Sequence, residues 1–336
     1  MSRSRIIHLI FALSVLAIAV ALIARVKGWI RVVTLGDISG SDEQVANVES
    51  HDHIMPLTDE EYNLIRQNEE TILILGNAPF ADMREDEEGL ASMLEKASGA
   101  TVINCAVSGS YVGMTEPSFD YTNNPMNIFS PYYLACVACT GQDYSHDLAE
   151  SERVLGPSFP EEGESVLETL KELDIKSVDV IVFFYDGDDY LRSAPTGLDD
   201  SRYSDPFSTY IGVFSSTVEL FKTYAPGARI IVMSAPYMYM VSADGTLEAC
   251  EDHPNTQGAD LSDYVLGLYR MCVESYDISF VDNYYTGISY GSGEAFLSGG
   301  RYLNEDGRKL MINRLMYALT YYDVENLGNV DYEGPK

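Results

Sequence analysis

The chain has 336 residues, 46% of them hydrophobic, which is enough for one large α/β domain with attachments. Its 21 Lys and Arg against 52 Asp and Glu give a formal charge of −31. A body so acidic is repelled by nucleic acid and by anionic lipid surfaces, which excludes a nucleic-acid partner.

The basic residues Arg3, Arg5, Arg25, Lys27 and Arg31 all precede the first acid, Asp37. Between them, Ile6 to Ala24 is a 19-residue apolar run broken only by His8 and Ser14. About 20 such residues span a bilayer as a helix, and Trp29 stands where an interfacial aromatic anchor belongs. Residues 1–31 therefore read as a signal anchor, with the bulk of the chain extracytoplasmic on a single-pass tether. The competing reading is a cleaved signal peptide, because Ala17-Ile18-Ala19 and Ala19-Val20-Ala21 match the small-x-small pattern. Both matches lie inside the apolar run rather than after it. Residues 32–70 read as a polar stalk and a short helix, since Gly36 to Leu57 has no hydrophobic period. His51-Asp52-His53 offers two ligands on a tether, too few for a metal site. Thr58-Asp59-Glu60-Glu61 has the pattern of a capping box and opens a helix to about Gln67.

From Thr71 the chain alternates strand and helix. Thr71 to Gly76 is a short β-favouring run that ends in the Gly76-Asn77-Ala78-Pro79 turn. A helix is predicted over Glu85 to Ala97 and a second strand over Thr101 to Ala106. Tyr111 to Gly163 reads as a long irregular lid or binding surface, and Glu164 to Leu173 as a helix. Val178 to Tyr185 is the most strand-like run of all. Pro206 to Tyr224 (helix), Arg229 to Ala235 (strand), Pro236 to Gly258 (irregular insertion) and Leu261 to Ser275 (helix) follow. Ile278 to Val281 is a fifth strand, Tyr284 to Gly300 a loop, and Asn304 to about Tyr321 the last helix, before a tail at 326–336. The pattern is α/β: a flavodoxin-like, three-layer α/β/α domain over 71–325, with five parallel strands in the order 2-1-3-4-5.

Four of the loops carry a further pattern. Gly76-Asn77-Ala78 follows the first strand, and Asn104 to Gly109 follows the second. Asp186-Gly187-Asp188-Asp189 follows the third, and Gly299-Gly300-Arg301-Tyr302-Leu303-Asn304-Glu305-Asp306-Gly307 precedes the last helix. In this order and these places they resemble the blocks of the SGNH/GDSL hydrolases, an esterase and acylhydrolase superfamily. The resemblance implies that the family's serine nucleophile falls on Ala78, its oxyanion-hole glycine on Gly109 and its oxyanion-hole asparagine on Asp188. The general base falls on Tyr302 and the orienting acid on Gly299. Of these only Gly109 matches. Ala78, Tyr302 and Gly299 cannot perform serine-histidine-aspartate chemistry, and an ionised Asp188 repels an oxyanion instead of donating to it.

Other chemistry is sparse. His8 lies in the apolar run and His51 and His53 in the stalk, which leaves His146 and His253 to reach Ser108 or Ser110. Cys105, Cys136, Cys139, Cys250 and Cys272 are odd in number; Cys250 and Cys272 are a possible pair, and Cys136-x-x-Cys139 lacks a thioredoxin-like context. No cofactor and no metal is implied. The remaining pocket residues, Asn77, Gly109, Asp186, Asp188, Asp189 and Tyr302, suit a neutral or cationic polyol. The expectation is a membrane-tethered pseudoenzyme that binds cell-envelope polysaccharide or an envelope enzyme. The alternative is an esterase or acyltransferase that works with non-standard residues.

Overall fold

A computed structural model describes residues 51–67, 69–114, 122–198 and 206–322. The anchor at 1–31, most of the stalk and the tail at 326–336 lie outside them. No helix among the described residues is long and apolar enough to cross a membrane.

Five strands form one parallel sheet: β1 (Thr71–Gly76), β2 (Thr101–Asn104), β3 (Val180–Phe184), β4 (Arg229–Met233) and β5 (Ser279–Val281). Their order is β2-β1-β3-β4-β5, as the alternation of strand and helix requires. In register, Ile72 lies beside Val180, Val180 beside Arg229, and Ile231 beside Ser279. Every residue of β3 is buried, which only a sheet covered on both faces allows. The helices 90–98 and 305–320 pack together as one group. Those at 131–140, 163–172, 210–224 and 261–270 form a second.

Several segments differ from the sequence reading. Residues 122–163 are not irregular. They contain the 3-10 turn Pro125–Phe129 and the helices Pro131–Thr140 and Ser145–Leu155. Pro131–Thr140 is apolar on nearly all sides, with seven of its ten residues buried, so it shows no amphipathic period for the sequence to reveal. In the 236–258 insertion, Tyr239–Val241 pairs with Leu247–Ala249 as an antiparallel hairpin. The helix expected from Glu85 starts only at Leu90, because residues 82–89 fold back in turns. A Cβ on Gly89 would lie 2.2 Å from the Met83 carbonyl oxygen, so the chain closes tightly on itself there. A short helix, Ala78–Ala81, instead follows β1 directly.

The capping box forms as predicted. The Thr58 N–H donates to Glu61 Oε2 at 2.6 Å, and the Glu61 N–H donates back to Thr58 Oγ1 at 3.3 Å. The polar stretch before it is no free stalk from His51 onward. His53 pairs antiparallel with Phe280 of β5, and Asp52 binds Arg314 at 2.7 Å. All five cysteines are free thiols, Cys250 and Cys272 both buried and unpaired.

Candidate functional site

The exits of β1 and β3 are pinched together. A Cβ on Gly76 would lie 2.3 Å from the Phe184 carbonyl oxygen, so only glycine ends β1 this close to its neighbour. Asn77, fully buried, then ties three strand exits into one unit. Its Nδ2 donates to Asp186 Oδ1 at 2.7 Å and to the Ser110 carbonyl at 3.1 Å, and its Oδ1 accepts the Asp186 N–H at 2.9 Å. Asp188 Oδ2 lies 3.5 Å from the same amide. A buried amide satisfied on both ends holds its neighbours in one arrangement. Asn104 does the same on a smaller scale beyond β2, donating to Phe80 O at 2.8 Å and accepting from Ala106 N at 3.1 Å.

Ala78, Asp82, Asp186, Arg301 and Tyr302 line one cleft at the carboxyl ends of the strands. The last two arrive on a hairpin in which Ser298 pairs with Tyr302. Gly299 and Gly300 turn its corner at φ +59° and +75°, and the Arg301 N–H reaches Ser298 O at 3.3 Å. Positive φ at both central residues is the type I′ pattern, which favours glycine and explains the Gly-Gly pair. The turn puts Arg301 into the cleft. Its Nη2 donates to Asp186 Oδ2 at 3.2 Å and to Asp188 Oδ1.

Electrostatics follow from this crowding. Burial, and then the Asp186 charge, push the Asp188 carboxyl up to about 6, while Arg301 pulls it down. Asp82 is raised by burial and by Asp186 and Glu162. Asp189 does not share this cation. Its two oxygens accept the Val112 and Gly113 N–H groups at 3.0 and 2.7 Å, and burial pushes it up to about 7. It braces the β2 exit loop and is not a ligand-facing carboxylate.

The sequence-predicted residues thus separate. Ala78, Asp186 and Tyr302 line the cleft; Asp188 and Asn77 bound it through Arg301 and Asp186. Tyr302 is 52% exposed, its ring 5.3 Å from the Arg301 guanidinium. Gly109, left-handed at φ +69°, lies one residue before the Ser110 carbonyl that Asn77 holds. Gly299 stands apart: a Cβ built there meets no atom within 4 Å, so the position faces open space. Ser110 is buried with its hydroxyl on Gly76 O at 3.3 Å, and His253 pairs with Glu248 at 2.7 Å. Arg301 is the residue that the sequence reading missed. The signal for it was present: an acidic strand exit at 186–189 needs a cation, and Arg301 is the basic residue within the fourth resembling block.

No protein-family model matches the chain, and no curated protein matches it. Solved structures do. One shares 19% identity over 75% of this chain and 97% of its own, at a TM-score of 0.50. A candidate SGNH hydrolase from Slackia heliotrinireducens shares 14% identity, covering 75% of this chain and 99% of its own at a TM-score of 0.39. A carbohydrate acetylesterase from Sinorhizobium meliloti shares 10%, covering 74% and 96% at a TM-score of 0.40. The strand order, with the likeness at a TM-score of 0.50 beside it, gives the chain a three-layer α/β fold around a parallel sheet, and the loops at its strand exits are the ones that resemble the SGNH/GDSL blocks.

Proposed function

We propose that this domain keeps the SGNH/GDSL fold and its cleft but has lost acyl transfer, and that it works by binding, held at a membrane by the apolar run Ile6 to Ala24. The observation that carries this reading is the pairing of Arg301 with Asp186 and Asp188 in the cleft that Ala78 lines. Where a hydrolase needs a nucleophile, a base and an empty oxyanion site, this chain has a methyl group and an ion pair. Without a nucleophile only binding effects remain, whatever else the cleft retains. Carboxylates, a guanidinium, an amide and an exposed tyrosine ring suit a polyhydroxyl ligand, and an exported domain meets such groups in cell-envelope polysaccharide or on an envelope enzyme. The alternative, an esterase built on Ser108 or Ser110, gains nothing from the geometry. The Ser110 hydroxyl is spent on a carbonyl, and Ser108 is an exposed turn residue whose N–H donates to Glu162 at 2.5 Å.

A serine-directed fluorophosphonate probe and a panel of acyl esters, applied to the full-length chain, test this. No labelling and no turnover are expected. Turnover that vanishes on Ser108→Ala or Ser110→Ala would overturn the reading.

A further inference from the structure

Large apolar and aromatic side chains are rarely exposed in this domain. Seven are exposed among the described residues: Met83, Leu198, Tyr224, Val241, Tyr290, Tyr302 and Tyr317. Met83 and Tyr302 line the cleft itself. Tyr290 and Val241 belong to segments tied to the turn that carries Arg301. Tyr239 donates its backbone N–H to Gly300 O at 2.7 Å, one residue before Arg301, and its hydroxyl to Tyr290 O. Val241 lies on the same strand of that hairpin, and Leu247, its partner, is where a side chain on Gly300 would strike. Two of the seven therefore line the cleft and two more lie on segments bonded to its Gly300 turn, a concentration that marks a recognition surface.

The rim is also rigid. The Tyr290 ring, 62% exposed, meets Tyr237 edge-on and Tyr239 at a tilt, with centroids 5.7 and 6.1 Å away. Tyr237 and Tyr284 both donate to Glu251, at 2.5 and 2.9 Å. Three buried tyrosines and a carboxylate thus hold one exposed ring in place. Met83, on the opposite lip, keeps φ at +57°, a conformation that costs a non-glycine residue energy and that clusters at ligand sites.

Charge selects the ligand. With −31 overall and Asp82, Asp186 and Asp188 at the cleft, an anion is repelled. A cation has to expel Arg301 from two carboxylates that it already satisfies. A neutral polyhydroxyl chain needs neither: its hydroxyls both donate and accept, and its apolar ring faces lie on tyrosines. Resting on the binding reading above, we infer that the cleft and its rim form an extended site for a neutral oligosaccharide. One sugar sits against Asp186 and Arg301, and the following sugars lie on Tyr302 and Tyr290.

Equilibrium binding of the full-length chain to β-1,4-glucan, chitin and α-1,4-glucan fragments, from the monosaccharide to the hexasaccharide, tests this. Affinity for at least one series is expected to rise about tenfold or more with length, the scale set by one or two ring contacts. Tyr290→Ala, at an exposed position, should remove most of that rise and leave monosaccharide affinity unchanged. Tyr317→Ala, on the last helix, should change neither. Equal affinity at every length, or a rise that survives Tyr290→Ala, overturns the extended site and leaves a single-sugar cleft standing. Failure of every sugar to bind removes both.

Discussion

Arg301 and Asp186 stand 115 residues apart in sequence, yet Nη2 of one lies 3.2 Å from Oδ2 of the other, and the same Nη2 also donates to Asp188. This one guanidinium holds two carboxylates that would otherwise repel each other at the exit of β3. On the binding reading proposed above, it also takes the place of catalysis. An oxyanion-hole donor is worth about 10²–10³ in rate, and on that reading its position at Asp188 is held by a carboxylate already bonded to Arg301.

Arg301→Met should therefore be destabilising, and more so at alkaline pH. Removing one partner of a fully buried pair costs about 3–5 kcal/mol. The three side chains here are 22%, 9% and 17% exposed, so roughly 2–3 kcal/mol is expected after screening. Loss of the guanidinium leaves burial and Asp186 to raise Asp188 against the weaker pull of Arg192 alone, beyond its present value of about 6. A carboxyl raised in the folded state favours the fold when protonated, so the deficit should shrink toward pH 5 and grow toward pH 8. Thermal unfolding of both proteins across that range gives the result, and adding Asp188→Asn should recover about half of the loss. An unchanged melting temperature at pH 8 would show that the pair contributes nothing.

The half-conserved look of the fourth resembling block has a structural reason. Asn304 caps the last helix, its Oδ1 accepting the Gly307 N–H at 2.9 Å. Gly307 lies so close to the Phe296 carbonyl that a Cβ would stand 2.2 Å from its oxygen. Asn304→Ala should cost about 1 kcal/mol, the usual worth of a cap. Gly307→Ala should cost more, about 2–3 kcal/mol, because backbone must move. A melting series that reverses this order would contradict the packing described here.

Much of the fold was legible in the sequence. Four of the five strands are short, mostly apolar runs with Gly, Asn or Asp at their end or within two residues of it, the pattern expected of a parallel sheet covered on both faces. The helix Pro131–Thr140 was not legible, because being apolar all round it has no period. Ala78, Asp186 and Tyr302 line one cleft, as their positions after strands and before the last helix suggest. The place of Arg301 beside them was not legible. Which residue of a tight hairpin faces inward depends on turn geometry, and the Gly-Gly corner turns Arg301 to Asp186 while a side chain at 299 faces open space.

At the opposite end of the sheet, Glu70 is 4% exposed, and burial pushes it from its ordinary 4.5 up to about 7, against the pull of Arg229. The unfolded chain releases this proton near 4.5 and the folded one near 7, so the folded state binds more protons between them. Stability is therefore full below about 4.5 and falls as pH rises to about 7. The expected loss is roughly 3 kcal/mol, at 1.36 kcal/mol per pH unit of separation. Glu70→Gln should flatten this part of the profile and be more stable than wild type at pH 8. Chemical denaturation at several pH values decides it, and parallel profiles for the two proteins would rule Glu70 out as the cause.

The last prediction concerns where the folded domain begins. β5 is an edge strand, and an unpaired edge invites association with other chains. Residues 51–57 cover it. His53 exchanges two backbone hydrogen bonds with Phe280, at 2.9 and 2.6 Å, and the Met55 N–H donates to Ser279 Oγ at 3.0 Å. Around these, Arg314 binds Asp52 at 2.7 Å, Arg229 reaches Met55 O at 3.1 Å, and buried Leu57 donates its N–H to Tyr321 O at 2.8 Å. A chain that starts at residue 48 keeps all of this, and one that starts at Thr58 loses it. The shorter chain should lose several kcal/mol, since half a dozen hydrogen bonds at about 0.5–1.5 kcal/mol each disappear with the burial of Leu57. It should also self-associate through the bared edge, which size-exclusion chromatography against concentration would show. If both chains melt alike and both stay monomeric, the stretch before Thr58 is a stalk after all, and its contacts with β5 add nothing to the fold.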